Sequence, residues 1–235
     1  MTEANAASSP RRSIVFPLVV GSFVLAQVLL VAVARHDTLS VSVWPNTNPA
    51  PDFWGARDIG QTFVSSCPNI GRIDLFFGTH GRAASYRIVL ELFETGAPDR
   101  ILASSAVEAS SLRNNLFNEF RFPAVRGTRG KRLSLRLRAP EATAADAMTV
   151  WTNAGDVYPD GAMVYNGAPA PGDLIFRVYA RRTVLSEIGR ITARNPGFLG
   201  RPALFVAAVI LLEAALIGAL AAITGRILER RGGGV

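Results

Sequence analysis

The chain has 235 residues, 49% of them hydrophobic and 18% charged, with 25 Lys and Arg against 18 Asp and Glu for a formal net charge of +7. A single cysteine, Cys67, excludes an internal disulfide, and two histidines, His36 and His80, leave a zinc site short of ligands. The positive balance is no nucleic-acid footprint: residues 36–200 carry 18 Lys and Arg against 15 Asp and Glu, and the remaining excess flanks two apolar runs, so nucleic acid is not an expected partner.

In chain order, Met1 to Pro10 is small and polar and is expected to be disordered, within a cytoplasmic N-terminus of residues 1–12. The uncharged run Ile14 to Ala34 follows. A bilayer core of ~30 Å needs about 20 helical residues, so a first transmembrane helix or signal anchor is expected over 13–35. Ala32-Val33-Ala34 has the A-x-A form of a signal-peptidase site, which makes cleavage after Ala34 the rival reading. Against it, the run exceeds the ~7 to 15 residue core of an ordinary signal peptide.

Between 36 and 183 the hydrophobic period is two, in short segments broken by Gly, Pro, Asn and Asp. Arg132-Leu133-Ser134-Leu135-Arg136-Leu137-Arg138 is the clearest case of a strand with one wet face. Ile73, Leu75 and Phe77 alternate with Asp74 and Phe76; Tyr86, Ile88, Leu90 and Leu92 alternate with Arg87, Val89, Glu91 and Phe93. Phe120 and Phe122 flank Arg121, and Leu174, Phe176 and Val178 enclose Ile175 and Arg177. Gln61 to Val64, Ile101 to Val107, Met148 to Thr152 and Ala162 to Tyr165 add further strands. Roughly nine strands and no helix among them predict a mainly β extracytoplasmic domain, an antiparallel β-sandwich of jelly-roll type. The Pro-rich stretches Trp44 to Phe53 and Ala168 to Gly172 read as loops, the first linking the domain to its anchor.

Residues 184–201 read as a juxtamembrane linker. Its segment Leu185 to Leu199 begins as a short interfacial helix that Gly189, Pro196 and Gly197 stop from running on into the membrane. A second transmembrane helix is expected over 202–225, interrupted only by Glu213, and then a cytoplasmic tail over 226–235 whose end, Gly232 to Val235, is expected to be disordered. Arg11 and Arg12 before the first run and Arg226, Arg230 and Arg231 after the second place both termini in the cytoplasm, although Arg35 and Arg201 at the opposite ends weaken the contrast. The expected location is the inner or plasma membrane, crossed twice, with the central domain periplasmic or extracellular.

Sugar recognition needs aromatic faces beside hydrogen-bonding groups. The stretch from Trp151 through Asn153, Asp156, Tyr158 and Asp160 supplies both, with Tyr165 just beyond, and forms the ligand-site hypothesis; the plainer reading is that its rings pack on the sandwich. No cofactor is expected, with Ca²⁺ on Asp156 and Asp160 as the one exception. Asp74, Glu91, Glu94, Glu119, Asp156 and Asp160 are the carboxylates from which a glycosidase pair would be drawn. Within the second span, Glu213 needs a proton or a partner. Gln27, at comparable depth in the first span, is the internal candidate, and a polytopic membrane protein the external one. Ala214, Gly218 and Ala222 recur at helical spacing and permit close packing, which marks this span for assembly.

The succession Gly60-Gln61-Thr62-Phe63, Ile73-Asp74-Leu75, Leu90-Glu91-Leu92-Phe93, Phe120-Arg121-Phe122-Pro123, Leu133-Ser134-Leu135-Arg136-Leu137 and Asp173 to Tyr179 resembles the carbohydrate-binding-module-like jelly rolls that stand beside transmembrane helices in bacterial cell-envelope proteins. Polysaccharide chain-length regulators have a similar two-pass plan, but their outer domains are largely helical. The resemblance implies a non-enzymatic, glycan-binding or accessory subunit of envelope polysaccharide machinery. The alternatives are an assembly subunit of a membrane transporter or transferase, and a glycoside hydrolase.

Overall fold

The computed structural model describes residues 10–82, 84–193 and 201–232. The ends read as disordered lie outside these residues, apart from Pro10 and Gly232, which open and close helices, and so do Pro196 and Gly197. The chain divides into two compact units, residues 37–182 and residues 1–36 with 183–235.

The first unit is built from strands β1 (Arg35–Ser42), β2 (Asn48–Pro49), β3 (Asp58–Val64), β4 (Asn69–Gly78), β5 (Arg87–Glu94), β6 (Ile101–Glu108), β7 (Leu116–Arg126), β8 (Arg132–Arg138), β9 (Thr149–Asn153), β10 (Met163–Tyr165), β11 (Ala168–Ala170), β12 (Asp173–Leu174) and β13 (Phe176–Thr183), of which β1 and β13 run into the second unit at their outer ends. They form two antiparallel sheets. One has six strands in the order β11-β10-β3-β8-β5-β6; the other has seven, in the order β1-β13-β4-β9-β12, with β7 on the free edge of β4 and β2 on β9.

Side-chain alternation explains the shared core. Leu133, Leu135 and Leu137 of β8, Ile88, Leu90 and Leu92 of β5, Ile73, Leu75 and Phe77 of β4, and Phe176 and Val178 of β13 are all buried. Each such side chain contributes about 1.5–3 kcal/mol by leaving water. Rings tie the layer together: Phe63 lies 5.7 Å from Phe176, and Phe77 lies 6.1 Å from Phe120.

The Pro-rich stretches depart from the loop reading. Trp44 to Phe53 contributes β2 and Ala168 to Gly172 contributes β11, both short and both at a sheet margin, where a proline's missing N–H is tolerated. The link expected of the first stretch is made instead by β1, a full strand beside β13.

The second unit contains α1 (Pro10–Val33), α2 (Val184–Thr192) and α3 (Pro202–Gly232). Thr183 caps α2 by accepting a hydrogen bond from the Ser186 N–H at 3.2 Å. Among the described residues one stretch, Pro202–Thr224, is long and apolar enough to cross a bilayer; the apolar stretch Gly21–Val33 of α1 is shorter.

Candidate functional site

The residues singled out around Trp151 do not share one surface. Asn153 is buried and uses its amide within the fold: Nδ2 donates to the Pro45 carbonyl and Oδ1 accepts from the Gly155 N–H. Tyr158 donates from its hydroxyl to the Val64 carbonyl and accepts from the Val64 N–H, and its ring meets Phe176 edge-on at 5.9 Å. Burial raises the pKa of its phenol. Tyr165 donates to the Asp52 carbonyl. Asp156 and Asp160 are exposed.

What holds this loop is a residue outside the predicted set. Asp173 accepts from the Val157 and Tyr158 N–H groups and from Gln61 Nε2, while Gln61 Oε1 accepts from the Leu174 N–H. This buried polar network is satisfied on every side, as a loop crossing a sandwich edge requires. Trp151 alone points away, to the outer face of the seven-stranded sheet, where its Nε1 donates to Asn115 Oδ1.

A pocket of about 300 Å³ opens instead on the outer face of the six-stranded sheet. Its origin is visible in the register. Val164 of β10, Gly60 of β3, Arg136 of β8 and Glu91 of β5 stand in one row, so no side chain fills the space between Val164 and Arg136. A Cβ at Gly60 would lie 2.3 Å from the Leu135 carbonyl oxygen, which keeps that position bare. The adjacent row is Thr62, Ser134 and Phe93.

The pocket wall is mostly apolar, with a few fixed polar groups. Arg136 donates from Nε to Glu91 Oε2 at 2.8 Å and lies over the Phe93 ring at 5.2 Å. The Thr95 and Ser134 hydroxyls share a hydrogen bond of 2.8 Å, and Asp58 and Thr62 complete the polar lining. A guanidinium fixed by a carboxylate offers its remaining N–H groups in a set direction, and the hydroxyl pair both donates and accepts. The arrangement suits an uncharged polyhydroxylated ring. In the sequence these are only the outward members of the alternation, Glu91, Phe93, Ser134 and Arg136, and the register is what joins them.

The carboxylates considered for acid–base chemistry are mostly committed to cations. Asp74 is held by Arg72, Glu91 by Arg136, Glu119 by Arg72 and Arg121, and Glu94 by Lys131, which lowers the Glu94 pKa below the ordinary carboxylate range. Among the described residues no group of three His, Cys, Asp or Glu gathers as a metal cage.

In the helical unit Gln27 and Glu213 come together: Gln27 Nε2 donates to Glu213 Oε2 at 2.6 Å. Along the same helix, the space around a Cβ built on Gly218 is open, and Ala222 is exposed. Comparison of the sequence with protein-family models and with curated proteins found no match.

Proposed function

We propose that this chain is a two-pass membrane protein whose jelly-roll-like sandwich faces outward and binds an envelope glycan, as a non-catalytic accessory subunit of polysaccharide machinery. The observation that carries the reading is the pocket over Gly60, lined by Phe93, by Arg136, which Glu91 holds in place, and by the hydrogen-bonded Thr95 and Ser134. Anchoring confines the pocket to the membrane surface and so raises the effective concentration of any ligand displayed there. The test is titration of the full chain in nanodiscs with a panel of neutral oligosaccharides, beside Arg136→Ala. Saturable binding lost in a variant of unchanged melting temperature supports the reading; an inert panel, or binding indifferent to Arg136, removes it.

A second reading, an assembly subunit docking through α3, is favoured by the open space at Gly218. Gly218→Leu disrupts co-purification of a membrane partner if that reading holds, and leaves it intact otherwise.

A further inference from the structure

The outer face of the seven-stranded sheet carries a cluster of rings. Phe76 of β4 stands opposite Phe117 of β7, and their rings meet edge-on at 5.1 Å. Trp44 packs on both, 5.5 Å from Phe76 and 6.1 Å from Phe117, and Trp151 closes the cluster 6.5 Å from Phe76. Trp44 nevertheless remains 52% exposed, an unusual state for the largest apolar side chain.

Beside these rings lies a cation with no counter-ion among the described residues. The Arg177 guanidinium of β13 sits 3.8 Å over the Phe117 ring, and its Nε is buried without a hydrogen-bond partner. Two other arginines on this face are fully engaged. Arg72 pairs with Asp37, Asp74 and Glu119, and Arg121 pairs with Asp37 and Glu119. Asp74 stands opposite Arg177 in register, yet both its oxygens accept from Arg72, one from Nε and one from Nη2, at 2.6 Å each. Among the described residues Arg177 therefore has no ion pair.

We propose that the Trp44–Arg177 patch binds a carboxylated sugar ring, a hexuronate, with the ring on the Trp44 indole and the carboxylate on the Arg177 guanidinium. The indole offers a flat apolar surface to the C–H face of a pyranose. The guanidinium fork matches a carboxylate with two parallel donors, which an ammonium does not. Asp37, Asp74 and Glu119 are taken up by Arg72 and Arg121, so the N–H donors of Arg177 are the ones left to meet an anion here. The inference rests on the glycan reading only for the ring that carries the carboxylate, because the patch and the pocket lie on different sheets.

The test uses the full chain in phosphatidylcholine nanodiscs, titrated calorimetrically with trigalacturonate, with its neutral methyl ester, and with a short acidic peptide. Trigalacturonate is expected to bind saturably and the ester at least about tenfold more weakly, as befits a lost charge-assisted pair. Arg177→Gln and Trp44→Ala each weaken trigalacturonate binding about tenfold or more, Arg177→Lys falls between, and Arg136→Ala leaves it unchanged. Trp44 is half in solvent, so its variant remains decisive if Arg177→Gln lowers the melting temperature. Equal binding of acid and ester, retention of affinity in a folded Arg177→Gln or Trp44→Ala, tighter binding of the peptide, or no binding at all overturns the proposal. Loss of neutral-sugar binding in Arg136→Ala with trigalacturonate unaffected separates the fate of the pocket from that of the patch.

Discussion

The outer faces of the two sheets use the same device to different ends. Each lays an arginine over a phenylalanine, Arg136 over Phe93 on the six-stranded sheet and Arg177 over Phe117 on the seven-stranded one. Arg136 is tied to Glu91 and borders the gap above Gly60, which gives an electrically balanced recess. Arg177 has no ion pair among the described residues, and its Phe117 ring also meets the half-exposed indole of Trp44. The difference lies in whether the neighbouring strand's carboxylate is free for the arginine, as Glu91 is for Arg136, or already taken, as Asp74 is by Arg72.

The strongest way to break this contrast is to remove what both faces share. Phe176→Ala deletes a fully buried ring in contact with Phe63 and Tyr158 and is expected to cost about 3–5 kcal/mol, seen as an early denaturation midpoint with both faces lost together. Asp74→Asn is next. It takes the carboxylate from the Arg72 network of the seven-stranded face and is expected to cost about 2 kcal/mol in chemical denaturation, less than outright loss of a buried pair because Asp37 and Glu119 still hold Arg72. Glu91→Gln sharpens the contrast by making Arg136 resemble Arg177: binding of neutral oligosaccharide should fall about tenfold, and in an Arg177→Gln background binding of acidic sugars should return, read by paired titrations.

The smallest effect at ordinary pH concerns alkali. Burial lifts the Tyr86 phenol to about 12, and Tyr158 is shifted the same way, so both rings are neutral in the folded state where unfolded tyrosine begins to ionise. Their contribution is complete below pH ~10, the unfolded value, and is lost as pH rises toward the folded one. Melting temperature should decline over that window, and Tyr86→Phe should flatten the decline.

The strands with strong alternation were legible from the sequence because one buried face imposes a period of two. The leucines of β8 and the apolar positions of β4 and β5 stand where that period puts them. The edge strands were not legible: β2 and β11 hold proline and little apolar content, and their pairing is set by neighbours distant in the chain. The pocket was hidden for a related reason. Gly60, Arg136 and Glu91 come from three strands, and only the register puts them in one row. Conversely, the Trp151 to Tyr165 stretch looked like a site because its residues are close in sequence, yet Asn153 and Tyr158 spend their polar atoms holding a loop that has no ladder of its own. Phe76, an aromatic residue on the polar side of its strand, was the one visible hint of the outer ring cluster.

The chain enters and leaves residues 37–182 on neighbouring strands. The Val43 N–H donates to the Phe176 carbonyl at 3.0 Å, and the Val184 N–H to the Ala34 carbonyl at 3.2 Å, so β1 and β13 run side by side in opposite directions. A domain whose ends meet in this way behaves as a cassette. Its ends can be sealed with a short linker and new ones opened at the Glu94 to Asp99 turn, and such a circular permutant keeps both sheets while freeing them from the helices that normally carry them.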